Sequence, residues 1–96
     1  MSENRKQISL QEAKAFAFLK DTHEWLTAKQ LASKIAIPPR TARAILHRFA
    51  SQGLVEVQET FPEFFYKWKE SKEDNSYYAR LAQAAIAFGF IKEVSP

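Results

Sequence analysis

Hydrophobic and polar positions follow a helical period in four segments of the chain and a strand-like alternation in two. The period of 3.6 predicts helices over about 10–20, from 28 up to the prolines at 38 and 39, over about 39–52, and from 76 to 88 or 89. Strands are predicted at 54–57 and 64–69, with a further short strand at 24–26. This order predicts a mainly helical α+β domain with three core helices, a β-hairpin and an added C-terminal helix.

Local signals set the helix ends. Ser9 with Glu12, and Thr27 with Gln30, have capping-box spacing, in which each side chain of the pair bonds the other's backbone N–H. Pro39 suits the first position of the third helix, and Gly53 its C-terminal end.

The third predicted helix has two opposite faces. Its apolar stripe, at i, i+3, i+4 and i+7, is predicted to face the core and consists of Ala42, Ile45, Leu46 and Phe49. The opposite stripe consists of Arg40, Arg43, Ala44 and His47, with Thr41 and Arg48 on one flank.

Charge is concentrated around that helix. No acidic residue occurs between Glu24 and Glu56, whereas five of the fourteen basic residues do: Lys29, Lys34, Arg40, Arg43 and Arg48. The rest of the chain sets nine basic residues against all eleven acidic ones, a net charge of −2. Solvated helix faces normally mix both signs, so this distribution indicates a polyanionic partner, and double-stranded DNA in particular.

The first and last predicted helices predict an interface. The first is apolar most of the way round, which requires cover on two sides, by a partner subunit or by the chain's own C-terminal segment. The last repeats apolar residues at steps of four and three. The predicted homodimer interface comprises Phe16, Phe18, Leu19, Tyr77, Leu81, Ala84 and Phe88.

The hairpin is rich in aromatic residues, and its turn, near Phe61 and Pro62, contains neither glycine nor a basic residue. Packing in the core or a dimer and docking of a protein partner are alternative roles for these side chains. The aromatic set is Phe61, Phe64, Phe65, Tyr66 and Trp68.

Composition excludes several function classes. With 96 residues, the chain is predicted to form one domain over 9–96 after a flexible polar arm, 1–8, in which Arg5 and Lys6 are either solvated or reach a DNA groove. The absence of cysteine excludes a disulfide scaffold and a thiolate zinc site. No signal peptide or bilayer-spanning run is apparent, which predicts a cytoplasmic protein. With two glycines and two isolated histidines, the sequence predicts no catalytic site, no cofactor and no metal.

The pattern Leu31-Ala32-x-x-Ile35-x-Ile37-x-Pro39-x-Thr41-Ala42-x-x-x-Leu46-x-x-Phe49-x-x-x-Gly53-Leu54-Val55 resembles the winged helix-turn-helix regulators, including the MarR-like transcriptional repressors. The match covers about 30 residues closely. It implies a winged-helix fold and a prokaryotic, nucleoid-associated regulator.

The resemblance also implies site residues. The helix that begins at Pro39 would lie in the major groove, with Arg40, Arg43, Ala44 and His47 toward base edges, and Thr41 and Arg48 toward phosphates. Lys29 and Lys34 are further DNA candidates, and Lys67 and Lys69 are the candidates on the wing. Two features depart from the family. Ala44 stands where many relatives carry arginine, and the wing lacks a basic tip and the aspartate-x-arginine pattern, so minor-groove insertion is not implied.

Two functional hypotheses follow. The first is a sequence-specific DNA-binding regulator, most simply a repressor acting as a homodimer on an inverted repeat; a plasmid partition or replication accessory protein has the same chemistry. The second is a winged-helix module that binds protein through its aromatic hairpin.

Overall fold

The structure, a computed structural model, describes residues 8–69 and 76–92. The helices are α1 (Leu10–Leu19), α2 (Ala28–Ile35), α3 (Pro39–Ser51) and α4 (Ser76–Phe88), and the strands are β1 (Val55–Glu59) and β2 (Phe64–Trp68). The predicted helices are therefore confirmed to within a residue or two at each end. Arg5, Lys6 and most of the predicted N-terminal arm lie outside the described residues, as does most of the polar connector between Lys69 and Ser76.

The elements pack around one hydrophobic core. The helix α1 packs against α4, α2 packs against α3, and β1 follows α3 directly. The strands β1 and β2 pair antiparallel, with Val55 opposite Trp68 and Glu59 opposite Phe64. The short strand predicted at 24–26 is a single bridge, in which Leu26 and Tyr66 exchange backbone hydrogen bonds of 2.8 and 2.7 Å. None of the helices in the described part of the chain combines the length and hydrophobicity needed to cross a bilayer.

The predicted end signals of the helices are confirmed. Both capping boxes form: Ser9 caps α1 with Glu12, and Thr27 caps α2 with Gln30. Pro39 occupies the first turn of α3. Gly53 follows α3 with φ of +77°, a conformation that glycine adopts at little cost.

The turn between α2 and α3 contains a feature that the sequence did not predict. Ala36 ends α2 in the left-handed conformation, with φ 58° and ψ 54°, and its N–H bonds the carbonyl of Ala32. Residues with a Cβ pay roughly 1–2 kcal/mol for this conformation. The strain accompanies a tight turn, because only residues 36–38 separate α2 from α3, which pack against each other.

Aromatic rings join the hairpin to the helices. The ring of Phe16 on α1 makes edge-on contacts with Trp68 of β2 at 5.5 Å and with Tyr78 of α4 at 5.3 Å between centroids. Phe49 of α3 and Tyr77 of α4 make a similar contact at 6.1 Å. The base of the hairpin is thus part of the core, as one of the two predicted alternatives requires.

The predicted interface on α1 and α4 needs correction. Four of its residues are buried within the single chain, because α4 covers the second apolar side of α1: Phe16, Leu19, Tyr77 and Leu81. The inward stripe of α4 also differs from the prediction. Ala85 is fully buried, whereas Ala84 is only half-buried and Phe88 is 44% exposed. On the core face, Leu81 is followed by Ala85, four positions on, rather than by Ala84, three positions on. Ala84 and Phe88 are therefore less buried.

A buried carboxylate joins three helices. Glu12 of α1 is 5% exposed and accepts hydrogen bonds from the Tyr77 hydroxyl of α4 at 2.6 Å and from Arg48 Nη1 of α3 at 2.9 Å. It also accepts the Ser9 N–H at 3.0 Å as part of the capping box. Burial by itself raises the pKa of Glu12, but the bonds from Tyr77, Ser9 and Arg48 together outweigh it and lower the pKa below its usual value. Burial and the bond to Glu12 raise the pKa of Tyr77.

We expect Tyr77→Phe to destabilise the chain by about 1.5–3 kcal/mol, the usual cost of removing a hydrogen bond to a charged group. Urea denaturation of the variant, of Glu12→Gln and of the double variant measures the coupling. The penalty of Tyr77→Phe should shrink in the Glu12→Gln background, and additive penalties would contradict the network.

The same network predicts a pH dependence of stability. Because the folded-state pKa of Glu12 is lowered, its contribution is fully present above the ordinary glutamate pKa and is lost as pH falls through the folded-state value. Urea midpoints measured from pH 7 downward should therefore fall less steeply for Glu12→Gln than for the parent chain. Parallel curves would contradict this assignment.

We expect Ala36→Gly to stabilise the chain by about 0.5–1 kcal/mol, since glycine has no Cβ to strain at positive φ. The matched control is Ala44→Gly at an exposed position within α3, where glycine should instead cost about 1 kcal/mol. Thermal denaturation of both variants checks the opposite signs.

Candidate nucleic-acid interface

The face of α3 opposite the core is open to solvent. Its apolar stripe is buried as predicted, and Arg40, Arg43, Ala44 and His47 are all exposed, with Thr41 half-buried on the flank. Among the described residues, no carboxylate lies within ion-pair distance of Arg40 or Arg43. The two guanidinium groups are therefore available to a ligand.

The start of α3 adds backbone donors to this face. Pro38 precedes the helix and no side chain caps it, while Pro39 has no N–H to satisfy. The first intrahelical bond is made by Ala42, whose N–H bonds Pro38 at 3.0 Å. The N–H groups of Arg40 and Thr41 thus remain at the positive end of the helix dipole, beside the Arg40 side chain.

A groove separates α3 from the hairpin. We call it the α3–wing groove. Its volume is about 630 Å³, and it is lined by Thr27, Ala28, Lys29, Pro39, Arg43, His47, Pro62, Glu63, Phe64 and Tyr66. Lys29, Arg43 and His47 form a basic side, and Phe64 and Tyr66 an aromatic side. Arg40 and Lys34 are exposed but do not line the groove.

Tyr66 lies at the junction of the two sides. Tyr66 is 3% exposed, and Arg43 and Glu59 are close enough to act on it electrostatically. Burial raises the pKa of Tyr66, the positive charge of Arg43 opposes that effect, and Glu59 reinforces it. The hydroxyl therefore stays protonated at neutral pH.

Arg48 has a different environment from the other basic residues of α3. Its Nη1 atom is 2.9 Å from Glu12 Oε2, and its side chain is 53% exposed. The bond to Glu12 raises the pKa of Arg48. The side chain remains about half exposed, so phosphate contact by Arg48 stays a prediction, but the residue also bonds the buried Glu12. Local sequence patterns do not predict this pairing, because the partners are 36 positions apart.

The hairpin has a buried base and an exposed tip. Tyr66 and Trp68 pack into or against the core, and Phe65 is half-buried. Phe61 is 95% exposed and Phe64 is 41% exposed. The predicted protein-binding set of aromatic residues therefore divides, and only its tip is open to a partner.

The basic residues of β2 lie at the base of the hairpin. Lys67 is half-buried, with its Nζ atom 5.7 Å from the centre of the Trp25 ring, a cation–π distance. Lys69 is exposed just after β2, and its N–H bonds the carbonyl of Leu54 at 2.9 Å. Their contact with DNA stays a prediction.

The remaining candidates for a dimer interface lie on the far side of the chain. Phe88 packs against Phe90 with ring centroids 5.9 Å apart, and Phe18 and Phe90 line a shallow hollow beside Lys14. Phe18, Ala84 and Phe88 keep accessible surface there. Within the described residues, no group of three or more acidic, histidine or cysteine side chains is placed to hold a metal ion.

Solved structures decide the fold. A possible transcriptional regulator from Methanosarcina mazei superposes with a TM-score of 0.63 at 7% identity, over 83% of this chain and 72% of that one. Bordetella bronchiseptica BpsR, solved in a study of how 6-hydroxynicotinic acid regulates its DNA binding, gives 0.58 at 13% identity, over 93% and 65%. The fold is a winged helix.

The winged helix also occurs within an enzyme. Human N-acetylserotonin methyltransferase matches with a TM-score of 0.53 at 20% identity, over 62% of this chain but only 17% of that protein. This chain thus spans less than two thirds of several of the structures it resembles. Neither a family model nor a curated protein matches the sequence. These likenesses establish the architecture, in which α3 is the second helix of the helix-turn-helix and the β1–β2 hairpin is the wing.

We expect substitutions at the two ends of the wing to differ greatly in their effect on stability. Phe61→Ser should change the free energy of unfolding by less than about 0.5 kcal/mol, since the ring is almost fully exposed. Trp68→Ala should cost about 3–5 kcal/mol, because the indole packs against Phe16 and Tyr78. Urea denaturation measures both, and a large loss on Phe61→Ser would contradict the division of the wing.

Proposed function

We propose that this chain is a sequence-specific double-stranded DNA-binding regulator, most simply a transcriptional repressor. The observation that carries the proposal is the exposed stripe of Arg40, Arg43, Ala44 and His47 on the outer face of α3, where no described carboxylate neutralises the arginines. The winged-helix fold supports it, because the second helix of a helix-turn-helix is the element that enters the major groove.

The residues of this face have separate roles in the proposal. Arg40 and Arg43 read bases, since a guanidinium can donate two bonds to guanine O6 and N7, worth roughly 1–3 kcal/mol of discrimination. His47 extends the same stripe. Thr41 and the free N–H groups at the start of α3 hold a phosphate. Lys29, Lys34 and the accessible part of Arg48 add contacts that fix register without reading sequence.

A single chain would make few such contacts. Two chains related by a two-fold axis double them and place two α3 helices on successive turns of the major groove. We therefore include a homodimer and an inverted-repeat operator in the proposal. Phe18, Ala84 and Phe88 are the residues of the predicted interface whose surface remains accessible. Plasmid partition or replication accessory binding would use the same chemistry, in a prokaryotic, nucleoid-associated setting without catalysis or a cofactor.

A protein-interaction module is the second candidate, and the wing favours it. Between Leu54 and Phe64, the wing carries three glutamates and no basic residue, with Phe61 exposed at its tip. Carboxylates repel phosphates, so this surface suits a protein partner better than a nucleic acid.

We expect Arg40→Ala combined with Arg43→Ala to weaken specific DNA binding by at least tenfold, since each base-reading arginine is worth roughly 1–3 kcal/mol. The probe is a duplex selected from genomic fragments, and fluorescence anisotropy gives the affinity. The control is Arg80→Ala combined with Lys92→Ala, which removes the same charge at exposed positions that line neither the α3–wing groove nor the hollow beside Phe18.

The variants also separate base readers from phosphate contacts. Lys29→Ala should weaken all duplexes alike and reduce the slope of log K against log salt by about 0.9, whereas Arg43→Ala should also relax preference at one base position. Equal losses of DNA affinity in the α3 double variant and in the control double variant would show that the effect depends only on net charge. Unchanged binding in both would refute the assignment of α3 to DNA, and binding of a protein alone would favour the second candidate.

A further inference from the structure

The wing tip, residues 59–63, is an ordered loop that presents one aromatic ring. The Thr60 hydroxyl donates to the Glu63 carbonyl at 2.8 Å, and the Thr60 N–H donates to Gln58 at 3.1 Å. Phe61 projects from this loop with 95% of its surface exposed. Because these bonds restrain the loop backbone, docking of the ring costs little backbone entropy, which suits the ring to fill a pocket.

The charge of the wing tip is opposite to that of the groove beside it. Glu59 and Glu63 flank Phe61, and both are exposed. The α3–wing groove offers Lys29, Arg43 and His47 on one side and the ring of Phe64, 41% exposed, on the other, where Tyr66 is almost fully buried. Although Glu63 itself lines the groove, no ion pair joins it to Arg43 or Lys29 in the described chain. The groove thus matches, in both charge and aromatic character, the tip of a wing other than its own.

We propose that, in the absence of DNA, the wing tip of one copy docks into the α3–wing groove of a second copy. Phe61 lies against the aromatic side of the partner's groove, and Glu59 and Glu63 approach its basic side. Burial of an aromatic anchor ringed by charge pairs is the usual anatomy of a specific contact.

The position of the tip makes this contact reciprocal. Pro62 and Glu63 of the tip form part of the wall of the groove, so tip and groove lie on the same side of the chain. A two-fold axis through that side brings each tip to the partner's groove, which makes two equal contacts in a closed dimer. Because docking uses Lys29, Arg43 and His47, it excludes DNA from the same surface. The inference concerns the DNA-free chain and does not require that the chain bind DNA.

Paramagnetic relaxation between copies tests the contact. Since the chain contains no cysteine, Gln58→Cys, at an exposed position next to the tip, accepts a single spin label. Labelled chains are mixed with isotope-enriched unlabelled chains, and broadening is expected at the amides of Arg43 and His47. The control label, at Gln83→Cys on the exposed side of α4, should leave those amides sharp.

Matched variants identify the groups that make the contact. Phe61→Ser should abolish the broadening, whereas Leu10→Ser, at an exposed apolar residue outside every proposed interface, should preserve it. Glu63→Gln should weaken it, but Glu56→Gln should not, because Glu56 pairs across the hairpin with Lys67 rather than at the tip. Higher salt should weaken it, since the charge pairs are exposed.

Three results would overturn the proposal: sharp groove amides at millimolar protein, broadening that persists in Phe61→Ser, or broadening only from the label on α4. If the groove amides stay sharp and Phe61→Ser instead weakens DNA binding, the tip belongs to a DNA contact. If they stay sharp and a different protein saturates the tip, the tip belongs to that partner. DNA-binding assays on the same variants remain independent, so a failure here leaves the regulator proposal to be judged separately.

Discussion

The fold depends on one buried carboxylate. Glu12 sits where α1, α3 and α4 meet, and each of its bonds comes from a different element: the cap of α1, Arg48 of α3 and Tyr77 of α4. A charge removed from water is tolerated only when it is paired and hydrogen-bonded, so loss of any one donor leaves an unfavourable buried group. Because its donors come from three elements, the carboxylate favours the arrangement of the helices in which all three bonds form.

This constraint also determines how α3 is presented. Arg48 points back to α1, while Arg40 and Arg43, earlier on the same helix, point to solvent. The buried apolar stripe of α3 sets the rotation of the helix about its own axis, and the ion pair of Arg48 with Glu12 supports that rotation. The helix α2 packs against α3, and the wing follows α3 directly. The rotation of α3 therefore also determines which of its side chains line the α3–wing groove. The basic surface is thus held in place by the buried stripe of α3 and by an ion pair on the flank of the same helix.

Local features of the sequence predicted most of the elements, whereas distant pairings were not predictable. The capping role of Glu12 follows from its spacing to Ser9, but its bonds to Arg48 and Tyr77 join residues 36 and 65 positions apart. The stripe of α4 was compatible with a step of three or four after Leu81, and only packing against α1 selects Ala85 over Ala84. An apolar helix face likewise does not specify which element packs on it. The sequence is therefore compatible with burial of Phe16 either by the chain itself or by a partner subunit. The outer face of α3 was predictable because charge and helical period coincide there.

The two charged surfaces of the winged helix have different consequences for a polyanion. Exposed charges interact over about 8 Å at physiological ionic strength. A duplex is therefore attracted to clusters of basic side chains and repelled by clusters of carboxylates. Lys29 of α2 and Arg43 and His47 of α3 line the α3–wing groove together, but Glu63 lines it from the wing. In the proposed complex, the duplex therefore approaches α3 from the side away from the wing tip. An acidic tip beside a basic helix limits the orientations in which a duplex can bind. In the proposed complex, α3 supplies the affinity and the tip restricts the docking geometry.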